Sequence, residues 1–178
     1  MTLPILTQRL ILRGFTDADV QDIVGIVSHP SVARITTYIQ ANASSARAYV
    51  EKQRCFTPFE KDKYYDLALE RKEDGKVIGL IGLMRQDHKQ ALIGWALGVD
   101  YRRNGYATEG ARALITYAFS ELDLHRVYAK TSSINLPSWR VMERVGMKKE
   151  AHLREAEFAD GQWKDVLIYA VLADEWPS

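Results

Sequence analysis

Three strand-like runs follow one another in the middle of the sequence, and an amphipathic helix follows them directly. The runs cover residues 64–71, 76–85 and 91–99, and Asp74-Gly75 between the first two is a typical two-residue hairpin turn. From Ala107 to Leu122 the apolar residues take helical spacing instead. Hairpin-joined strands that lead into βα units predict a mixed sheet covered by helices.

The remaining elements frame this centre on both sides. Before it, the sequence predicts a first strand, a helix that ends at a His-Pro pair and a second helix, over residues 5–14, 16–29 and 44–56. After it come a strand, a helix that starts near a proline and stops at a glycine, and two closing strands, over 126–131, 137–145, 147–155 and 162–172. The order β-α-α-β-β-β-α-β-α-β-β predicts an α/β fold (α+β, with a mixed sheet) in one domain over residues 1–178.

Composition and charge exclude several classes of protein. Apolar residues make up 47% of the chain and charged residues 26%, which is typical of a soluble folded protein. The apolar runs are much shorter than the ~20 residues of a membrane-spanning helix, so no membrane contact is expected. A formal net charge of +1 argues against direct nucleic-acid binding. Arg9 and Arg13 interrupt the first apolar stretch, so no secretory signal is visible. The one cysteine, Cys55, cannot form an internal disulfide, which fits a reducing compartment, and the two observations favour a cytoplasmic protein.

The turn between the third run and the central helix, within the segment LIGWALGVDYRRNGYATE at 92–109, is the most informative local feature. Backbone N–H groups at a helix start have no partner inside the helix, and the helix dipole adds positive charge there, so a phosphate can bind. Gly105 lets the backbone come close to the anion, and Arg102 and Arg103 add charge-assisted contacts. An ordinary solvated turn is the alternative interpretation.

Position and neighbouring motifs favour the phosphate interpretation. The segments that matter are TQRLILR with FTDAD at 7–19, RRNGYATE at 102–109, NLPSWRVMERVGM at 135–147, and GQWKD at 161–165 with Tyr169. In this order they resemble the GCN5-related N-acetyltransferases (GNAT), particularly the Rim-type branch that acetylates ribosomal-protein N-termini. The resemblance covers about residues 5–176 and implies the GNAT fold, with acetyl-CoA as cosubstrate.

The resemblance also implies where acetyl-CoA binds. Two neighbouring parallel strands, those that end at Val99 and at Thr131, splay apart around the acetyl-pantetheine arm. Backbone groups near Leu97 and Val99 bind the arm and polarise the thioester. The full implied cofactor set is Leu97, Val99, Arg102, Arg103, Asn104, Gly105, Tyr106, Ala107, Thr108, Asn135 and Ser138. Gly94 and Gly98 within the central strand indicate close approach of a ligand, or a packing compromise.

Two side chains are candidates for the chemistry. The resemblance implies that Ser138 protonates the leaving thiolate, although Ser138 and Asn135 are also ordinary helix-start residues. It assigns amine deprotonation to Glu157, which is predicted in the loop between the last two strands, where a merely solvated glutamate is the alternative. Many family members carry a glutamate where this chain has Leu92, and Glu70 is a further candidate whose direction the alternation does not decide.

The histidines and Cys55 show no triad or metal spacing, so direct transfer without a metal or an acetyl-cysteine is expected. An α-amine has a pKa near ~8 and a lysine amine near ~10.4, so the scarcity of a strong base favours an N-terminal α-amine, as on a ribosomal protein. Polyamines, amino acids or antibiotics as acceptors, a non-catalytic acyl-CoA-binding domain and binding of some other nucleotide stay open, as does a homodimer. Residues 29–63 would form the acceptor wall, the side of the site that the amine substrate contacts. For the aromatic residues there, core or dimer contacts are favoured over substrate contacts; these residues are Tyr38, Tyr49, Phe56 and Phe59, with Tyr64 just beyond.

Overall fold

An eight-stranded mixed sheet organises the residues that this computed structural model describes, which are 3–34, 36 and 38–177. Its spatial order is β1-β2-β3-β4-β5-β6-β8-β7, and of these neighbours only β5 and β6 are parallel. The strands are β1 (Ile5–Leu6), β2 (Leu10–Arg13), β3 (Tyr64–Arg71), β4 (Val77–Gln86), β5 (Gln90–Leu97), β6 (Arg126–Ser132), β7 (Lys148–Ala159) and β8 (Gln162–Leu172).

Helices cover both faces of the sheet. They are α1 (Val20–Val27), α2 (Pro30–Ala33), α3 (Ala43–Cys55), α4 (Tyr106–Ser120) and α5 (Leu136–Arg144), with short 3-10 turns at Asp17–Asp19, Val99–Tyr101 and Ala173–Glu175. Helices α1 and α3 pack on one face, here called the α3 face, and α4 and α5 on the other, the α4 face. No helix within the described ranges has the length and apolar character that crossing a membrane requires.

Alternation along β5 sends its side chains to two separate cores. Ala91, Ile93 and Leu97 belong to the core of the α4 face, whereas Ala96 belongs to that of the α3 face. Because successive strand residues point to opposite faces, Gly94 lies on the α3 face with Ala96.

The gap between β5 and β6 is the feature of the fold that the resemblance predicted. Their parallel pairing is limited to Gln90–Arg126, Ala91–Val127 and Leu92–Tyr128. Beyond those pairs β5 continues to Leu97 and β6 to Ser132 without bonding to each other. The predicted splay of two central strands is therefore confirmed.

Several predicted boundaries are wrong. The first strand is divided into β1 and β2 by a turn in which the Thr7 N–H donates to the Leu10 carbonyl over 3.0 Å. The His-Pro pair was predicted to end a helix, but Pro30 also begins the short helix α2. Proline is accepted there because the first turn of a helix does not use its backbone N–H groups. The third run ends at Leu97, and Val99 opens a 3-10 turn instead of extending the strand.

Glu157 lies in a strand, whereas the sequence analysis predicted a loop at this position. Strand β7 reaches Ala159, and Glu157 pairs with Lys164 of β8. The pairing shifts register between Leu153 and Glu157, and Glu155 there has a left-handed φ of 48°. This bulge lets the pairing resume beyond the point where the sequence pattern ends.

Candidate active site

A cavity of about 120 Å³ lies in the gap between β5 and β6. Strand β5 and strand β6 form its sides, and the start of α5 closes it. The lining residues are Ile93, Gly94, Trp95, Lys130, Thr131, Asn135, Ser138 and Met142. Two predicted site residues, Asn135 and Ser138, are thus brought together at the splayed strands.

The start of α5 argues against a purely structural role for Asn135. Asn135 occupies the N-cap position, but its side chain makes no capping hydrogen bond. The turn is instead held by the backbone, where the Ser138 N–H donates to the Asn135 carbonyl over 3.1 Å, and by Pro137 in the first turn. Asn135 therefore lines the cavity, and its side chain is not used to cap the helix.

The turn before α4 has the geometry of an anion site. Gly105 is the N-cap with a left-handed φ of 81°, and no side chain caps the helix. The first helical bond runs from the Glu109 N–H to the Gly105 carbonyl. The N–H groups of Tyr106, Ala107 and Thr108 precede that bond, so they point beyond the helix end. These are the groups predicted to hold the pyrophosphate.

A clamp from the β1–β2 turn fixes this loop, and the sequence interpretation missed it. The Glu109 carboxylate accepts hydrogen bonds from the Thr7 hydroxyl (2.6 Å), the Arg9 N–H (2.8 Å) and the Arg9 Nε (2.7 Å). Burial by itself would raise the pKa of Glu109, but these bonds outweigh it and lower the pKa. Arg9 also donates to the Asn104 carbonyl (2.9 Å) and stacks on Tyr106, so the loop is preorganised.

The other predicted cofactor residues surround this clamp. Arg102 Nε donates to the Leu97 carbonyl over 3.3 Å, which links the basic turn to the end of β5. The Asn104 side chain donates to the carbonyls of Tyr101 and Arg102, so it shapes the turn from inside. Arg103 is exposed, with a left-handed φ of 65°.

A larger cavity, of about 490 Å³, opens on the α3 face. Its lining comes from the segment before α3, from α3 itself, from the segment between α3 and β3, and from β3, β4 and β5. The residues are Thr36, Tyr38, Tyr49, Lys52, Gln53, Phe56, Asp62, Lys63, Tyr64, Asp66, Leu80, Gly94, Trp95 and Ala96. Gly94 and Trp95 also line the smaller cavity, so the two cavities meet at β5.

Two glycines shape the wall of the larger cavity. A Cβ on Gly94 would lie 2.4 Å from the Tyr64 hydroxyl, and one on Gly82 would lie 2.4 Å from Asp66 Oδ1. On Gly98 it would lie 3.3 Å from the Ile78 carbonyl. Close packing therefore explains both Gly94 and Gly98. The Tyr64 hydroxyl fits beside β5 because Gly94 has no side chain.

The aromatic residues of the acceptor wall are divided between two roles. Tyr38, Tyr49, Phe56 and Tyr64 line the larger cavity. Tyr49 also belongs to the core of the α3 face and Phe56 packs against that of the α4 face, so the expected core contacts are present at these two, and the dimer contacts stay a prediction. Phe59 does belong to the core, with its ring 5.1 Å from that of Tyr65.

Neither predicted carboxylate lines a cavity. Glu157 is exposed on β7 and belongs to the lining of neither. Glu70 accepts a hydrogen bond from Arg13, which also pairs with Asp19, and it too lies outside both cavities. Leu92 carries no carboxylate, as the sequence showed.

The sequence interpretation missed two carboxylates that do line the larger cavity, Asp62 and the buried Asp66. Only Asp66 lies within a strand. It stands in the otherwise apolar run YYDLAL, where an acidic residue is unusual for a strand, and this was the available signal. Within the described residues, no group of three or more His, Cys, Asp or Glu side chains is placed to hold a metal ion. The metal-free reaction stays a prediction.

Comparisons with known proteins show the family of the fold. The acetyltransferase (GNAT) domain model matches residues 9–148. The uncharacterized N-acetyltransferase YnaD of Bacillus subtilis (strain 168) is 30% identical over 173 residues, 97% of this chain and 98% of that protein. The ribosomal protein uS5-alanine N-acetyltransferase of Escherichia coli (strain K12) is 25% identical over 107 residues, 58% of this chain and 55% of that protein.

Solved structures show the same fold. An acetyltransferase of the GNAT family from Bacillus anthracis has a TM-score of 0.82 and 28% identity, over 97% of this chain and 100% of that chain. Spermidine N-acetyltransferase from Vibrio cholerae, in complex with CoA and spermine, has a TM-score of 0.78 over 95% of this chain and 98% of that chain. Its 19% identity supports a likeness of fold alone. The matched domain model spans most of the sequence and the splayed strands are present, so the chain belongs to the GNAT family of N-acetyltransferases, as its motifs predicted.

Proposed function

We propose that this chain transfers the acetyl group of acetyl-CoA directly to a primary amine, and that the amine is the N-terminal α-amine of a protein or peptide. The observation that supports it best is the meeting of two cavities at Gly94 and Trp95. The smaller one has the position expected for the thioester, and the larger one suits an acceptor that approaches from the α3 face.

On the cofactor side, the loop from Arg102 to Thr108 would hold the pyrophosphate, and Leu97, Val99 and Asn135 would bind the pantetheine arm. The clamp of Arg9 on Glu109 supports this, because a fixed loop loses little entropy when the anion binds. Acetyl-CoA, when bound, supplies the activated acetyl group. The backbone groups of β5 would stabilise the oxyanion, and Ser138 would protonate the departing thiolate.

On the acceptor side, an α-amine is favoured because its pKa near ~8 leaves a useful neutral fraction at neutral pH. The E. coli relative named for a ribosomal-protein alanine supports an N-terminal acceptor. A small amine such as a polyamine is the second candidate, supported by the fold shared with the V. cholerae spermidine enzyme. Thiol release from acetyl-CoA over a panel of peptides, polyamines and amino acids tests the proposal, and no release with any amine would contradict it.

The resemblance assigns amine deprotonation to Glu157, and this stays a prediction. If Glu157 accepts the proton, Glu157→Gln lowers kcat/KM mainly at low pH, and the defect shrinks toward about pH 9 as the amine becomes neutral unaided. A defect that is independent of pH would instead indicate positioning or charge attraction.

A cytoplasmic setting and a homodimer are also proposed. The single cysteine supports the first. For the second, Phe158 and Trp163 are 60% and 61% exposed and pack against each other on the β7–β8 hairpin. Light scattering after gel filtration measures the oligomeric state.

We expect acetyl-CoA and CoA to raise the melting temperature strongly, and 3′-dephospho-CoA to raise it less. A ligand at 100 times its dissociation constant adds about 2.7 kcal/mol to the free energy of unfolding. The smaller effect without the 3′-phosphate is expected because Arg140 and Arg144 are exposed on α5 beside the cofactor site. Differential scanning fluorimetry measures all three, with ATP and NAD as control nucleotides. No shift with any CoA species at millimolar concentration would contradict the cofactor assignment.

A further inference from the structure

The larger cavity contains a buried carboxylate that the proposed mechanism does not use. Asp66 is 4% exposed and lines the cavity wall from β3. Its Oδ2 accepts a hydrogen bond of 2.7 Å from the Tyr49 hydroxyl, and its backbone N–H donates to Gln53 Oε1 over 3.0 Å. Keeping a buried carboxylate ionised is costly, and a ligand of opposite charge that entered the open cavity would offset that cost.

Asp66 also lies close to the reacting position. It pairs with Gly82 on β4, and Gly82 pairs in turn with Gly94 on β5, where the two cavities meet. Its Oδ1 lies directly over Gly82, whose missing side chain leaves the space. Two strand spacings, roughly 10 Å, therefore separate the backbones of Asp66 and Gly94, and the carboxylate reaches over Gly82 between them. Glu157 lines neither cavity.

The groups around Asp66 suit an ammonium ion. Tyr38, Tyr49, Tyr64, Phe56 and Trp95 give the cavity an aromatic wall, and aromatic faces attract cations. Burial, followed by the charge of Asp66, raises the pKa values of Tyr49 and Tyr64, so both phenols remain protonated. A neutral wall with one deep carboxylate matches a single positive charge.

The charges farther out point to the same class of acceptor. The other charged residues of the lining are Lys52, Asp62 and Lys63. Both lysine ammonium groups lie over the Phe56 ring, at 5.8 Å and 5.4 Å from its centre. Lys63 also pairs with Glu60 over 2.9 Å. Lys52 repels a second cation on the acceptor, so we expect an acceptor with one ammonium group to be preferred over a polyamine.

We propose that Asp66, and not Glu157, binds the acceptor's ammonium group and takes its proton. The inference rests on the proposed function. The ammonium N–H bond breaks, its proton moves to a carboxylate oxygen of Asp66 and later leaves to solvent, and the nitrogen lone pair forms the C–N bond with the acetyl carbon. As the C–S bond breaks, the Ser138 hydroxyl donates its proton to the sulfur, which departs as the thiol. The second nitrogen proton leaves to solvent, and solvent returns a proton to Ser138.

The pH dependence of Asp66 supplies a signature of this role. Burial raises the pKa of Asp66 to about 6, against the opposing effect of hydrogen bonds from Tyr49 and Tyr38. The carboxylate form therefore appears as the pH rises through about 6, and kcat/KM for the amine rises with it. Tyr49→Phe removes an interaction that lowers the pKa, so this rise moves to higher pH while the carboxylate remains.

The test compares Asp66→Asn, Tyr49→Phe and Glu157→Gln with wild type, using thiol release from saturating acetyl-CoA between pH 5.5 and 9. The tripeptide amide Ala-Ala-Ala-NH2 is the single-charge acceptor and spermidine the polycationic one. Asp123→Asn, an exposed acid paired with Lys89 after α4, is the matched control and should behave as wild type. We expect Asp66→Asn to lower kcat/KM for the tripeptide amide by about 100-fold at pH 7 and to remove the rise through pH 6. Spermidine should be the poorer acceptor for wild type.

Two measurements separate this role from a structural one. Stabilisation by CoA should be the same in Asp66→Asn as in wild type. The contribution of Asp66 to the free energy of unfolding of the unliganded wild type should fall as the pH rises from about 4 to about 6, because the folded carboxyl retains a proton that the unfolded one has lost. That decline should be absent in Asp66→Asn.

A rate for Asp66→Asn within threefold of wild type would overturn the proposal, as would a defect confined to Glu157→Gln. Loss of CoA stabilisation together with the activity would also count against it, since Asp66 would then act through the fold. If wild type acetylates no amine, the proposed function fails by itself. Calorimetric binding of Ala-Ala-Ala-NH2 to the CoA-bound protein, lost in Asp66→Asn, then decides whether Asp66 binds ammonium.

Discussion

Gly105→Val should abolish CoA binding without unfolding the protein. Gly105 has a φ of 81°, and a Cβ there would lie 3.4 Å from the Arg9 guanidinium that holds the loop. Valine disfavours this left-handed conformation by about 1–2 kcal/mol, and its branches occupy the space in front of the N–H groups of α4. We expect the dissociation constant for CoA, measured by calorimetry, to rise more than 100-fold.

Gly146→Val is the matched control for this substitution. Gly146 has a φ of 96° at the end of α5, and a Cβ there meets nothing within 4 Å. Both variants carry similar backbone strain, so both should melt a few degrees below wild type, at roughly 2–4 °C per kcal/mol. CoA should stabilise Gly146→Val as it does wild type. Normal CoA binding by Gly105→Val would show that this loop is not the phosphate site.

Ser138→Ala should lower kcat while it leaves acetyl-CoA binding nearly unchanged. The hydroxyl lines the cavity between β5 and β6, where the sulfur is expected to depart. General acid catalysis contributes ~10²–10⁴-fold, and a thiolate leaves readily, so we expect the lower end, about 100-fold. Single-turnover acetyl transfer measures the chemical step, and scanning fluorimetry measures cofactor binding.

The control for Ser138→Ala is Ser133→Ala, in the turn between β6 and α5 but outside the lining of the cavity. The substitution removes the Ser133 hydroxyl and keeps the Ser133 backbone carbonyl, which accepts a hydrogen bond from Trp139 Nε1. This variant should keep the wild-type rate. If Ser138→Ala is also within a few-fold of wild type, proximity and the backbone oxyanion donors carry the reaction, and the assignment of Ser138 is withdrawn.

The outcomes at particular residues show what kind of information the sequence holds. The strands Tyr64–Arg71 and Gln162–Leu172 have the predicted bounds, because their alternation and flanking turns are local signals. The bound of β7 was wrong because its last residues are ordered by pairing with β8 across a bulge, which is not encoded in their own pattern. Glu157 was therefore placed in a loop.

The site divides in the same way. The phosphate loop depends on one continuous segment with a glycine at a left-handed position, and the sequence is enough to predict it. Its clamp joins residues 100 positions apart in the chain, Arg9 and Glu109, and nothing near either residue predicts that contact. Asp66 was missed for the same reason, since its partners Tyr49 and Gln53 belong to another element.

The sequence by itself determined the order of elements, the family and the loop that is expected to bind the cofactor, because periodicity, turn chemistry and short motifs are properties of neighbouring residues. Only the tertiary structure decided which carboxylates line the larger cavity. Strand alternation allows two faces, and the packing of α3 against β3, β4 and β5 is what encloses Asp66 in the larger cavity and leaves Glu70 and Glu157 outside it. A residue's pKa and its partners depend on that enclosure, so they follow from the fold and not from the residue's neighbours in the chain.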